Sequence, residues 1–165
     1  MTENSPQPSA AATEVSVQQV MSGTPDRVWS LISDVTRMGE WSPETTGCSW
    51  LKGATGPAVG ARFKGNNQNG KKRWSTVCVV TQCEPAKRFV FDVNVGMLKI
   101  ARWSYVIEPG ADGTGCSVTE TWTDRRGALV KSLGKPLSGV ADRSEHNRAG
   151  MVATLTNLAQ AAARP

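Results

Sequence analysis
Hydrophobic and polar positions first alternate with a period of two over Glu14–Met21, where Val15, Val17 and Met21 fall on one side of a short strand. Thr24 and Pro25 then read as an N-cap and a first helical position, and Val28, Leu31 and Ile32 form the apolar face of a helix over Pro25–Ser33. Asp34 restarts the helical pattern, and a second short helix over 35–41 stops at Ser42-Pro43. Beyond Pro43 the texture is that of strands for about eighty residues, with strands predicted at 46–51, 61–66, 72–83, 88–95, 99–108 and 116–124. Their separators carry turn chemistry: the glycines between Gly53 and Gly60, Asn69-Gly70, Glu84-Pro85, Gly96 and Asp112-Gly113. Asn-Gly and Asp-Gly tolerate the positive φ of tight hairpins, so neighbouring strands pair antiparallel. Separators this short leave no room for crossover helices, which excludes a parallel βαβ sheet.

The last third turns helical. A piece over 128–133 is broken at Gly134-Lys135-Pro136, and a helix over 138–163 carries Val140, Met151, Leu155, Leu158 and Ala162 at steps of three and four. So long an amphipathic helix needs a long partner surface, and the sheet is the available one. The pattern predicts a helix-grip α+β fold: about seven antiparallel strands curved around a long C-terminal helix, with two short helices after the first strand. A helix lying on a strongly bent sheet leaves its ends unfilled, so a cavity is expected. Residues 14–163 form one expected domain, in keeping with a length of 165 residues. Residues 1–13, rich in Pro, Ser and Ala, read as a mobile tail without the features of a secretory signal.

This order of elements, with Thr24-Pro25-Asp26-Arg27-Val28-Trp29, Met38-Gly39-Glu40-Trp41-Ser42-Pro43, Trp103-Ser104-Tyr105 with Glu108-Pro109, the run from Thr114 to Trp122, and Asn147 to Leu158, resembles the START-like superfamily. That superfamily includes polyketide cyclase/dehydrase and lipid-transport proteins and the birch-pollen-allergen fold. The resemblance spans residues 15–161 and implies the fold, together with a hydrophobic ligand such as a lipid, sterol or polyketide. It implies no universal catalytic motif, because the superfamily holds enzymes and non-enzymes alike.

Composition narrows the chemistry. Six tryptophans stand against one tyrosine and three phenylalanines, and an indole offers a broad apolar face with one N–H donor. Trp41, Trp50, Trp74, Trp103 and Trp122 lie in the strand region or at its entry, each a candidate for the core or for the cavity wall. Strand parity puts Trp103, Tyr105 and Ile107 on one face and Cys116, Val118, Glu120 and Trp122 on another inward face, with a row of threonines outside. Glu120 is thereby drawn among apolar neighbours, where a carboxyl group needs a partner, a hydrogen bond or a proton. Arg102 or Arg148 as a structural partner, and a ligand or acid/base role alongside Tyr105, both stand open. The same parity turns Phe63, Trp74, Thr76, Cys78, Phe89 and Phe91 inward, and the helix stripe adds Ser144, Asn147, Met151 and Leu155. Ser144 and Asn147 interrupt an apolar face, either to meet a ligand's polar end or to face water.

Several chemistries drop out. Cys48, Cys78, Cys83 and Cys116 include no CxxC pair and His146 is the only histidine, so neither a metal site nor another cofactor is expected. Gly65 to Lys72 imitates a phosphate loop, but Lys72 stands where Ser or Thr is needed and a strand follows, so a hairpin is expected. Asp142 and His146 read as a solvated helix face. The net charge of +5 is spread thinly, and Lys71-Lys72-Arg73 and Arg125-Arg126 read as solvated turns, which argues against nucleic acid and leaves a weak contact with anionic membrane surfaces open. No apolar run reaches the roughly 18 residues of a membrane span, and a cytoplasmic monomer or homodimer is expected. The leading function is a carrier or sensor for a hydrophobic small molecule. An aromatase/cyclase using the same cavity and a regulatory protein with an inherited cavity are the alternatives, and the loops at 53–60, Gly96 and 134–136 are the expected gate.

Overall fold
The computed structural model describes residues 13–111, 113–127, 131 and 138–164. Seven strands, β1 Glu14–Met21, β2 Thr45–Leu51, β3 Arg62–Asn69, β4 Lys72–Glu84, β5 Arg88–Val95, β6 Leu98–Pro109 and β7 Cys116–Asp124, form one sheet in the order β1-β7-β6-β5-β4-β3-β2. Each neighbouring pair is antiparallel. The helix α1 (Pro25–Ser33) and a 3₁₀ helix (Val35–Glu40) follow β1, and α2 (Arg143–Ala162) follows β7. This is the expected helix-grip architecture. The expected helical piece at 128–133 and the break at Gly134-Lys135-Pro136 lie outside the described residues except for Lys131, as do Asp112 and the tail before Thr13.

Local chemistry accounts for the boundaries. The Thr24 hydroxyl accepts from Arg27 N and Pro25 opens α1, while Asp34 accepts from Thr36 N and starts the 3₁₀ helix. Lys72 to Glu84 hydrogen-bonds to both neighbours, and its pairing with β3 closes on Asn69 and Lys72 around Gly70, whose φ of 56° is a glycine conformation. The Gly65–Lys72 segment is therefore a hairpin. Pairing shifts register between Val80 and Gln82, between Val93 and Asn94, and between Thr45 and Gly47. Such bulges bend a sheet, and here the concave face is the one that receives α2.

The long helix begins later than the sequence pattern implies. Gly139 takes φ +74°, which a right-handed helix does not accommodate, and the Asp142 carboxylate accepts from Ser144 N and Glu145 N. Val140 is buried as the apolar stripe requires, yet it precedes the helix. At the other end Gly23 touches Ala162: a Cβ on Gly23 would sit 2.8 Å from that of Ala162. The interior between α2 and the sheet divides along the helix. Leu155, Leu158 and Ala162 pack with Val28, Leu31, Ile32, Phe89, Ile107 and Val118 into a filled core, and the other half of the interior is hollow.

Candidate functional site
The hollow is a cavity of about 690 Å³ under the first half of α2, between it and strands β2 to β7. Its inner wall is apolar and aromatic: Phe63 from β3, Cys78 from β4, Phe91 from β5, Trp103 from β6, Trp122 from β7 and Met151 from α2. Register explains the convergence. Phe91 pairs with Trp103 and Trp103 with Trp122, so these rings stand side by side across three strands. Phe63 meets Phe91 edge to face with centroids 5.2 Å apart.

The next pair along β6 and β7 is Tyr105 and Glu120. The Tyr105 hydroxyl donates to Glu120 Oε1 at 2.8 Å, and Glu120 is only 2% exposed. Its Oε2 is buried and has no hydrogen-bond partner among the described residues. Burial pushes the Glu120 carboxyl up to about 8, with the Tyr105 hydrogen bond opposing it, so the group holds its proton at neutral pH. Burial, and then Glu120 itself, push the Tyr105 phenol well above its usual value. Burial also raises the thiols of Cys48, to about 11, and Cys78, to about 12. Both cavity cysteines are thus neutral apolar lining, without a thiolate nucleophile.

Neither expected basic partner reaches Glu120. Arg102, one position off in parity, lies on the other face and pairs with Asp92 at 2.7 Å, and Arg148 is exposed. Arg125 joins the same Asp92 at 2.6 Å. Arg126 binds Asp124 at 2.9 Å and lines the cavity. Arg125 and Arg126 are therefore paired side chains, not the freely solvated turn expected of them.

The outer end of the cavity is polar. Glu44, just before β2, accepts from Arg143 at 2.9 Å and lies 2.7 Å from His146 Nε2. The Arg143 guanidinium stands 5.8 Å over the Trp74 ring. Asn67, Gln68, Asn69 and Arg73 from the β3–β4 hairpin complete this rim. His146 and Asp142 thus correct the expectation of a shared solvated face. The imidazole leans on Glu44 at the cavity, and Asp142 spends its carboxylate on the helix cap.

Of the residues selected by pattern, Phe63, Trp74, Thr76, Cys78, Phe91, Trp103, Tyr105, Glu120, Trp122, Asn147 and Met151 line the cavity. The others do not. Trp41 is buried, with its carbonyl accepting from Asn157 and Arg37 over its ring, and Trp50 leans edge to face on Phe63 at 5.7 Å. Leu155 belongs to the filled core, and the cavity side of the first α2 turn is taken by Arg143 and His146, where Ser144 was expected. Pattern reasoning missed Glu44 and Arg143 and set Arg73 and Arg126 aside as solvated charge, whereas all four line the cavity; Glu44 carries no local signal because its partners lie about a hundred residues away. Of the expected gate, Val95 beside Gly96 lines the cavity, no residue of 53–60 does, and 134–136 lies outside the described residues.

A helix gripped by a bent antiparallel sheet, with a hollow beneath the helix's first half, has a family counterpart. Residues 12–163 match the model of the polyketide cyclase/dehydrase and lipid transport family. The chain belongs to this family. No functionally curated protein matches it in sequence. Among solved structures it resembles a polyketide-cyclase-like protein from Corynebacterium glutamicum, with 26% identity over 94% of this chain and 92% of that one and a TM-score of 0.57. It also resembles the ginseng (Panax ginseng) major latex-like protein 151, with 13% identity, 94% and 100% coverage and a TM-score of 0.70. The di-domain ARO/CYC protein StfQ of the steffimycin biosynthetic pathway aligns at 13% identity over 92% of this chain and 49% of its own, with a TM-score of 0.66. At such identities the last two likenesses speak for the fold. The cyclase/dehydrase and lipid-transport family is associated with hydrophobic small molecules, and no described helix here is long and apolar enough to cross a membrane.

Proposed function
We propose that this chain binds a hydrophobic small molecule, lipid-like or polycyclic, in its cavity, and serves as a carrier or sensor of it. The observation that carries the reading is a hollow of about 690 Å³ walled by Phe63, Phe91, Trp103, Trp122 and Met151 beside a core that is otherwise filled. Ligand sites are concave, mostly apolar, typically about 300 to 1,000 Å³, and carry a few convergent polar groups. An apolar space of this size is costly to keep against collapse, and a ligand removes that cost by burying its own surface at roughly 25 cal/mol per Å². The family description, which joins lipid transport with polyketide chemistry, supports the same ligand class. Gentle purification followed by extraction and mass spectrometry tests it. A small apolar molecule in near-stoichiometric amount is the expected result. Absence of any such molecule, with no binding across lipid, sterol and polycyclic panels, overturns the reading.

One observation favours a second reading, an aromatase/cyclase-type enzyme. Tyr105 and Glu120 form a hydrogen-bonded pair of proton-carrying groups in the wall of the cavity, and Glu120 changes charge near pH 8. A general acid or base works best with such a value. Glu120→Gln separates the readings: the enzyme loses turnover and keeps ligand, whereas the carrier has no turnover to lose.

A further inference from the structure
The hairpin between β5 and β6 carries an apolar tip that ligand binding inside the cavity does not call for. Val95 pairs with Leu98, so the turn holds only Gly96 and Met97, and Gly96 takes φ +58°. Two-residue turns favour Gly, Asn and Asp, and a polar residue beside Gly96 would close the hairpin equally well. Instead Met97 is 100% exposed, with Leu98 at 52% and Val95 at 46% on either side. The other large apolar side chains left exposed among the described residues, Val20, Val59 and Val152, stand singly, as scattered surface residues do. Val95 also lines the cavity, so the tip is part of its edge. The β3–β4 hairpin closes at the same end of the sheet, because β3 and β5 run in one direction. It brings Lys71, Lys72 and Arg73 to that end, and Lys99 follows the tip on β6. All four are exposed, and none has an ion-pair partner among the described residues. Most acidic groups of this end are spent elsewhere: Glu44 on Arg143 and His146, Asp92 on Arg102 and Arg125, Asp124 on Arg126 and Lys131, and Asp142 on the α2 cap. That leaves Glu14 and Glu145 against the four cations.

We propose that this end of the molecule docks on a bilayer surface that carries anionic lipids, with Met97 and Leu98 entering the interface and Lys71, Lys72, Arg73 and Lys99 meeting lipid phosphates. Two apolar side chains on a protruding turn do not make the close-packed patch of about 800 Å² per partner that a stable protein complex uses. A deformable apolar medium accepts them one by one. Methionine and leucine lose their water there, and lysine stems lie along the apolar boundary with their ammonium groups among the headgroups. Neither attraction holds a protein firmly by itself: a short apolar insertion is reversible and so is a patch of four cations, whereas the two together anchor. Because Val95 belongs both to the tip and to the cavity wall, docking sets the edge of the cavity against the bilayer. The inference concerns the outer surface and uses no property of a ligand.

Vesicle flotation tests this with two compositions, phosphatidylcholine alone and phosphatidylcholine with one third phosphatidylglycerol. At about 0.1 M salt the chain is expected to favour the anionic vesicles on the order of tenfold, and to lose most of that preference at about 0.5 M salt, where screening shortens the reach of each charge. Met97→Ser combined with Leu98→Ser is expected to weaken binding to the anionic vesicles on the order of ten- to a hundredfold. Lys71→Glu combined with Lys72→Glu is expected to remove the preference for phosphatidylglycerol. All four positions are exposed, so the melting temperature of these variants stays that of wild type. Val20→Ser combined with Val59→Ser, at the opposite end of the sheet, is expected to leave vesicle binding unchanged. No binding to the anionic vesicles, or binding that the Met97 and Leu98 substitutions leave intact, overturns the proposal. So does a wild type that dimerises in sedimentation velocity while the Met97 and Leu98 variant stays monomeric, because the tip then belongs to a second copy of the chain. None of these results bears on the cavity, which ligand extraction tests separately.

Discussion
Glu120 shows at the scale of one residue what a buried acid does to a fold. Its carboxyl stands at about 8 in the folded chain against an ordinary 4.5, so between those values the folded chain holds a proton that the unfolded chain has released. Stability therefore falls as pH rises through this window, is unaffected by Glu120 below it, and carries the full penalty above it. The interval corresponds to on the order of 5 kcal/mol at about 1.4 kcal/mol per pH unit. Glu120→Gln removes the titration and preserves shape. Urea unfolding should find the variant within about 1 kcal/mol of wild type at pH 4.5 and several kcal/mol more stable at pH 9. A constant difference across that range would contradict the assignment. Strand alternation was enough to place Glu120 and Tyr105 on inward faces, since side chains on a strand alternate strictly. Alternation was silent on their hydrogen bond, because register across a hairpin depends on where the turn closes.

Among the elements, α2 decides where the cavity is. Its two ends are held differently: Gly23 lets the C-terminal turn approach the β1–α1 corner, and Asp142 starts the N-terminal turn over the hollow. Asp142→Ala removes an acceptor for two backbone N–H groups and should cost about 1 kcal/mol, read as a fall of about 2 to 4 °C in the melting temperature. Gly23→Ala should cost more, since the new methyl group meets the side chain and backbone of Ala162. The strands and short helices were legible because caps, turns and alternation are local signals, and the expected elements lie within a few residues of the observed ones. The start of α2 was not legible. The apolar stripe through Val140 continues across Gly139 and Asp142, and only the folded backbone shows the positive φ and the cap that end it.

For the whole molecule, the hollow is the property that matters. A ligand that binds only the folded state stabilises it by RT ln(1 + [L]/Kd), about 2.7 kcal/mol at a hundredfold excess over Kd, so a true ligand at that excess should raise the melting temperature by about 5 to 10 °C. Ala153→Trp, at a half-buried position lining the cavity, should weaken binding at least tenfold and leave the circular dichroism spectrum unchanged. An unaltered affinity would place the ligand elsewhere. Alternation, caps and turns depend on residues close together in the chain, so the order of elements and the inward rings they imply could be read before the fold was known. It took the folded chain to show that Leu155 closes the core while Met151 borders space, that Glu44 meets His146 and Arg143, and that Glu120 Oε2 has no hydrogen-bond partner among the described residues. These depend on how far a bent sheet stands from its helix, and that distance is set by bulges, register and contacts between residues about a hundred positions apart.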